Sequence, residues 1–154
     1  MRRIRLPGGR EVILSDTVGF ISDLPHELIM SFRATLEEVL EADVIVHVRD
    51  IANENSLAQK KDVLNVLKSL GLKNIENESG YIEVLNKIDL LDEAGRRYLE
   101  ENAARNANVV PLSAVSGEGT ERFLRLVEDK LSASFRMVEV TTDAADGQLI
   151  SWIY

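Results

Sequence analysis

Between His26 and Glu41 the apolar residues Leu28, Ile29, Phe32, Leu36, Val39 and Leu40 recur every three or four positions, the period of one face of an α-helix. Pro25 stands where a first helical turn accepts proline. The pattern then changes. Val44-Ile45-Val46-His47-Val48 is apolar almost without alternation, which predicts a central parallel strand buried on both faces. A second helix is predicted over 55 to 70, with Leu57, Leu64, Leu67 and Leu70 on one face and Gly71 as its stop. Tyr81 to Leu85 reads as a strand, 92 to 107 as a charged helix, 109 to 113 (VVPLS) as a short strand, and 120 to 131 as a helix carrying Phe123, Leu124, Val127 and Leu131. Ahead of all these, RIRLPGGREVIL places two short β runs around Pro7-Gly8-Gly9, an antiparallel hairpin over about 3 to 15. Strand and helix in alternation predict an α/β fold, a mostly parallel sheet with helices on both sides in three layers. The last stretch breaks the alternation. Met137 to Val140 and Leu149 to Tyr154 read as two β runs around Asp146-Gly147, so a main domain is expected over 1 to 134 and the start of a small β-containing module over 135 to 154. No internal repeat or low-complexity segment is present.

Ligands of open α/β sheets bind at the carboxyl ends of the strands, and three motifs fall there. Asn86-Lys87-Ile88-Asp89 follows the strand YIEVL. The Asp89 carboxylate can accept two hydrogen bonds at once, matching the adjacent N1–H and exocyclic amine of guanine, a donor pair adenine lacks. Asn86 would tie neighbouring loops together, and the aliphatic stem of Lys87 can lie on a flat base. Ser113-Ala114-Val115 follows VVPL; the Ala114 amide can meet the guanine O6, with Ser113 shaping the turn. Asp16-Thr17-Val18-Gly19-Phe20 follows EVILS. Asp16 can hold Mg²⁺ through water, and the Gly19 amide can reach a terminal phosphate because no side chain obstructs it. Each motif has a plainer use on its own: Asn and Asp as helix caps, SAVSG as an ordinary loop, Asp and Gly as turn residues. Their order, each at the end of a strand, favours a guanine-nucleotide site.

Composition narrows the chemistry further. A chain of 154 residues, 45% hydrophobic, suffices for one α/β domain. There is no cysteine, and His26 and His47 stand too far apart for a zinc motif, so any metal is an oxygen-bound ion of the magnesium kind. No apolar run is long enough to span a bilayer and no signal peptide opens the chain, so a soluble, cytoplasmic protein is expected. The net charge of −8 argues against a non-specific nucleic-acid binder. The exception is Arg2, Arg3, Arg5 and Arg10: the first ten residues carry +4 with no acid, which leaves −12 on residues 11 to 154. As a strand edge, that cluster discourages edge pairing.

The stretch RRIRLPGGREVILSDTVGFISDLPHELIMSFRATLEEVLEADVIVHVRD, with VLNKIDLL, PLSAVSGEG and the tail DGQLISWIY, resembles the HflX family, translation-factor-related members of the Ras-like P-loop GTPases. The resemblance covers essentially the whole chain. It implies the P-loop GTPase type of sheet, GTP and GDP as ligands with Mg²⁺ as cofactor, and GTP hydrolysis coupled to the large ribosomal subunit, with a role in splitting or rescuing ribosomes. No catalytic residue is assigned.

Two departures follow. The sequence holds no G-x-x-x-x-G-K-[ST] loop; in the family it lies upstream of the residue matching Met1, with the N-terminal domain expected to touch the ribosome. The sheet is then truncated at its N-terminus and the chain alone is expected not to hydrolyse GTP; the alternative is a non-enzymatic module that binds a partner through residues 17 to 41, and an unrelated doubly wound regulatory domain is more remote. Removing the strand between Leu14 and residue 43 leaves two unpaired edges. They are expected to pair with each other directly, to swap a strand with a neighbour, or to drive self-association. The second departure is Phe20, which stands where many GTPases carry the glutamine that orients water. A phenyl ring cannot do that work. Phe20 is expected to pack in the mobile switch, and His26 to start a helix rather than act as a base.

Overall fold

A computed structural model describes residues 1 to 16 and 38 to 133. Strands β1 (Arg2–Arg5) and β2 (Glu11–Leu14) form an antiparallel hairpin. Its inward face is the cross-strand pair Ile4 and Val12, both partly buried, while Arg3, Arg5, Glu11 and Ile13 alternate to the exposed side. The turn is seated on the body: Leu6 is buried, and the Gly8 amide donates to Glu128 Oε2 at 3.1 Å. A Cβ on Gly8 would lie 2.1 Å from that carboxylate, so a larger residue there would push the Glu128 side chain aside.

A second sheet holds β3 (Ile45–Asp50), β4 (Tyr81–Asn86) and β5 (Val109–Pro111), all parallel, in the order β3-β4-β5. The register pairs Ile45 with Tyr81 through to Asp50 with Asn86, and Leu85 with Pro111. Helices α1 (Ser56–Ser69) and α2 (Glu93–Ala104) cover one face. Val63 and Leu67 of α1 pack with Ile75 and Tyr81, and Leu99 of α2 packs with Leu85 and Ile88. Helix α3 (Thr120–Ala133) covers the other face, where Phe123, Leu126 and Val127 meet Ile82, Val84, Val110 and Leu112. Three layers result, as the alternation predicts. Each fully buried aliphatic side chain here contributes on the order of 1.5–3 kcal/mol.

The element borders have local causes. Helix α1 stops because Gly71 takes a φ of +102°. Helix α2 starts because Asp92 Oδ1 accepts the Gly95 amide at 2.8 Å. The helix expected over 26 to 41 lies mostly outside the described residues, and 38 to 40 are helical. The β runs expected after residue 135 lie outside them altogether.

Two expectations need correction. The strand buried over Tyr81 to Leu85, all but its last residue, is β4, not β3. Among the described residues β3 pairs with β4 alone, so Val48 on its outer part remains 58% exposed. Direct closure of the gap between the hairpin and β3 also fails: β2 and β3 form no ladder, and Ile13 and Leu14 stay exposed.

The α1 face of the sheet carries charge within its core. Glu83, in the middle of β4, is buried with Arg49 of β3, whose Nη1 donates to Glu83 Oε1. Lys60 of α1 donates to Glu83 Oε2 at 2.8 Å and also meets Glu76 at 2.7 Å. Arg49 Nη2 reaches Ser56 Oγ at 3.1 Å, at the first turn of α1. Burial alone would raise the Glu83 carboxyl, but hydrogen bonds from Lys60 and Arg49 outweigh it and hold it below its ordinary value. Beside this group His47 Nδ1 lies 2.9 Å from the Tyr81 hydroxyl. Burial lowers His47 and, with the negative charge of Glu83 and Glu76 added, raises Tyr81.

The sign of the pH dependence follows. Unfolded histidine takes up its proton near 6.5, whereas His47 in the folded chain does so only at lower pH, so the contribution of His47 is complete above that value and is lost as the pH falls below it. Glu83 adds a further loss in the acid carboxylate range, since its folded value lies below the unfolded 4.5. Urea denaturation at about pH 7.5 and about pH 5.5 should show the chain weakening on acidification, by at most about 1.4 kcal/mol per pH unit for the one proton. In His47→Gln the difference between the two conditions should shrink. Parallel behaviour of the two chains would mean that another group is responsible.

Candidate functional site

Three strand ends of the parallel sheet meet at one edge: Asp50 of β3, Asn86 of β4, and the loop after β5. The chain leaves β4 through Lys87, whose φ of 69° puts a non-glycine residue in the left-handed region, a conformation that costs on the order of 1 kcal/mol. Two features hold it there. Ile88 opens a single 3-10 turn (Ile88–Leu90) and buries its side chain against Leu85 and Leu99. Asn86 Oδ1 accepts the Lys87 amide at 2.8 Å and the Ala114 amide at 3.1 Å. One side-chain oxygen thus joins the loop after β4 to the loop after β5.

Lys87 Nζ donates to Asp50 Oδ2 at 2.6 Å, and this hydrogen bond is the main reason the Asp50 carboxyl sits below its ordinary value. The lysine therefore bridges to β3. Asp89 follows in the turn. Its Oδ1 is shut off from solvent and, among the described residues, accepts no hydrogen bond. A buried acceptor left without a donor costs about 1–3 kcal/mol.

The loop after β5 is shaped by Ser113, which is fully buried. Its Oγ accepts the Ser116 amide at 3.1 Å, its carbonyl accepts the Gly117 amide at 2.9 Å, and its own amide donates to the Glu118 carbonyl at 2.9 Å. Gly119 closes the loop at φ +77°, where a Cβ would stand 2.4 Å from the Pro111 carbonyl oxygen. Ala114 and Val115 are exposed. The Ala114 amide is already engaged by Asn86, so an incoming oxygen has to share it or displace that acceptor.

Asp16 lies just beyond β2, exposed, next to Ser15, whose Oγ donates to Glu38 Oε2 at 2.7 Å. Among the described residues no hydrogen bond or ion pair ties Asp16 to the other two loops, and no group of three or more His, Asp or Glu could hold a metal. A lone exposed carboxylate suits Mg²⁺, which keeps most of its waters and takes few protein oxygens. Thr17, Val18, Gly19 and Phe20, with the Pro25–Glu27 stretch, lie outside the described residues. The structure thus brings Asn86, Lys87, Asp89, Ser113 and Ala114 together and leaves Asp16 on the separate hairpin. Asp50 is the residue that sequence reasoning missed. An acid at the carboxyl end of a strand was the available signal.

Comparison with known proteins decides the family. Residues 1–87 match the model described as 50S ribosome-binding GTPase, and residues 98–154 match the HflX C-terminal domain. The chain belongs to the 50S ribosome-binding GTPase family, on its HflX branch. It is 36% identical over 151 residues to the GTPase HflX of Magnetococcus marinus, covering 98% of this chain and 33% of that protein. Against the GTPase HflX of Caldanaerobacter subterraneus it is 40% identical over 141 residues, covering 92% and 29%. Against GTP-binding protein 6 of Xenopus laevis it is 42% identical over 151 residues, covering 97% and 27%. This HflX-family chain spans about a third or less of the curated relatives it matches. Among the described residues no helix is long and apolar enough to cross a membrane.

Two substitutions test how the loops are held. In Asn86→Ala the Ala114 and Lys87 amides lose their acceptor, so hydrogen exchange at both should accelerate by roughly 10-fold, about 1.4 kcal/mol of lost protection, while amides of α1 stay unchanged. Gly119→Ala should lower global stability by about 1–3 kcal/mol in urea denaturation, from the backbone clash and the positive φ.

Proposed function

We propose that this chain is the guanine-recognition and switch portion of a GTPase of the HflX type, working in the cytoplasm on the large ribosomal subunit. The observation that carries it is Asp89 Oδ1, a buried acceptor without a donor among the described residues, in a loop that Asn86 fastens to the Ala114 amide. Guanine supplies the missing donors through N1–H and its amine. Adenine supplies none in that arrangement, and a buried acid left unpaired by the wrong base discriminates by on the order of 10⁴. Asn86 positions both loops, the Lys87 stem backs the base while its ammonium is anchored on Asp50, and Ile88 roots the turn in the core. Ser113, Ala114 and Val115 line the O6 side, the Ala114 amide passing from Asn86 toward the base oxygen.

Asp16, Thr17, Val18, Gly19 and Phe20 take the phosphate side, with the Gly19 amide toward the terminal phosphate. Asp16 would hold Mg²⁺ through water, and the ion when bound neutralises phosphate charge. The sequence contains no G-x-x-x-x-G-K-[ST] loop, so this chain recognises the base and does not itself cleave the triphosphate; hydrolysis, in this proposal, belongs to the longer protein. Residues 1 to 134 are then part of a G domain and 135 to 154 the start of the next module. The open strand edges make self-association of the isolated chain part of the same proposal.

Titration with GDP and ADP in the presence of magnesium, followed by NMR, tests the assignment. GDP should move the Asp89 and Ala114 amide signals, and ADP should not. Asp89→Asn exchanges an acceptor for a donor, so preference should pass from GDP toward xanthosine diphosphate by roughly 10- to 100-fold. Equal shifts with both purines would remove Asp89, and the guanine site with it.

A further inference from the structure

We propose that the outward face of the β1–β2 hairpin binds the phosphate backbone of folded RNA. The proposal rests on the ribosome-directed function above and deepens it by naming the surface. Arg3 and Arg5 stand two residues apart on one strand, so their side chains leave the same face about 6.7 Å apart. Both are largely exposed, at 74% and 70%. The alternation leaves no choice of face, because Ile4 and Val12 turn the other side of the ribbon inward.

The hairpin is also a rigid mount. Leu6 is buried at its turn, and the Gly8 amide is fastened to Glu128 of α3. Guanidinium groups held on such a mount suit phosphate oxygens, which they can grip with two parallel N–H donors.

One acid shares this face. Glu11 lies 3.0 Å from Arg5 and 3.7 Å from Arg3, and is itself half exposed. Two guanidinium groups on one carboxylate leave a net positive charge, and exposed pairs of this kind are worth about 0–1 kcal/mol. A phosphate can therefore replace Glu11 with little loss.

The charge on the rest of the chain gives direction. Residues 11 to 154 carry −12 against +4 on the first ten, so a polyanion is repelled by the body and drawn to the hairpin. A protein partner is less suited to this face, where among the described residues only Met1 and Ile13 are exposed apolar side chains, too few for the apolar centre of an interface.

The test uses this chain and a fluorescein-labelled RNA stem-loop, with anisotropy read from about 50 to about 200 mM salt. The wild-type chain should bind at low salt. Arg3→Gln/Arg5→Gln should weaken binding about tenfold and reduce the slope of log K against log salt by about 2, one for each lost phosphate contact. Glu11→Gln should tighten binding, an outcome that damage to the hairpin would not produce. Absence of binding at low salt, an unchanged slope in the double variant, or competition by polyglutamate equal to that by RNA would each overturn the proposal; equal competition would assign the face to acidic protein, including a second copy of this chain. GDP titrations on the same variants separate the two readings. Guanine preference without arginine-dependent RNA binding removes the hairpin surface alone, and the converse removes the guanine site alone.

Discussion

The carboxylate of Glu83 is the constraint around which this structure is arranged. It lies in the middle of β4, buried, and it is bearable there because Arg49 reaches it from β3 and Lys60 from α1. An unpaired charge at that depth would cost several kcal/mol. Parallel strands have no tight turn to set their register, and a slip of one residue would carry Glu83 to the α3 face, away from both partners. The ion group therefore fixes how β3 lies against β4 and where α1 crosses them, a selection that apolar packing alone leaves loose.

That register has its effect at the far end of the strands. Pairing Arg49 with Leu85 also pairs Asp50 with Asn86, which puts the Asp50 carboxylate within reach of Lys87 and leaves Asn86 free to turn its side chain toward Ala114. The backbone strain at Lys87 and the glycine required at position 119 both sit in these loops, where stable packing gives way to a pre-set geometry. Core and site are joined by four residues of β-ladder.

Much of this was legible in the residues. The helix over 56 to 69 follows from its apolar face and the Gly71 stop, that over 120 to 133 from its apolar face, and that over 93 to 104 was legible as a charged helix between two strands. The NKID and SAV loops were locatable because both follow apolar strands. Other features were not. The run Val44 to Val48 is as apolar as a strand with two neighbours, yet among the described residues β3 pairs on one side only, since strand order depends on partners that local pattern does not name. Arg49 and Glu83 interrupt apolar runs with opposite charge, a signal of mutual burial that becomes readable once the strands are known to be adjacent. The tie that Asn86 makes between neighbouring loops was readable as a role, whereas its acceptance from the Ala114 amide in particular depends on where a side chain 28 residues away points.

The bond between the Gly8 amide and Glu128 spans 120 positions of the chain, and it sets an order of events during synthesis. The hairpin is complete within the first fourteen residues, whereas the helix that receives its turn is made about 6 to 24 s later at ribosomal rates of about 5–20 residues per second. Through that interval the residues of the ribbon are present but its seat does not yet exist. The hairpin is thus made well before the helix that locks it, and its glycine turn stays available to whatever the nascent chain meets in the meantime.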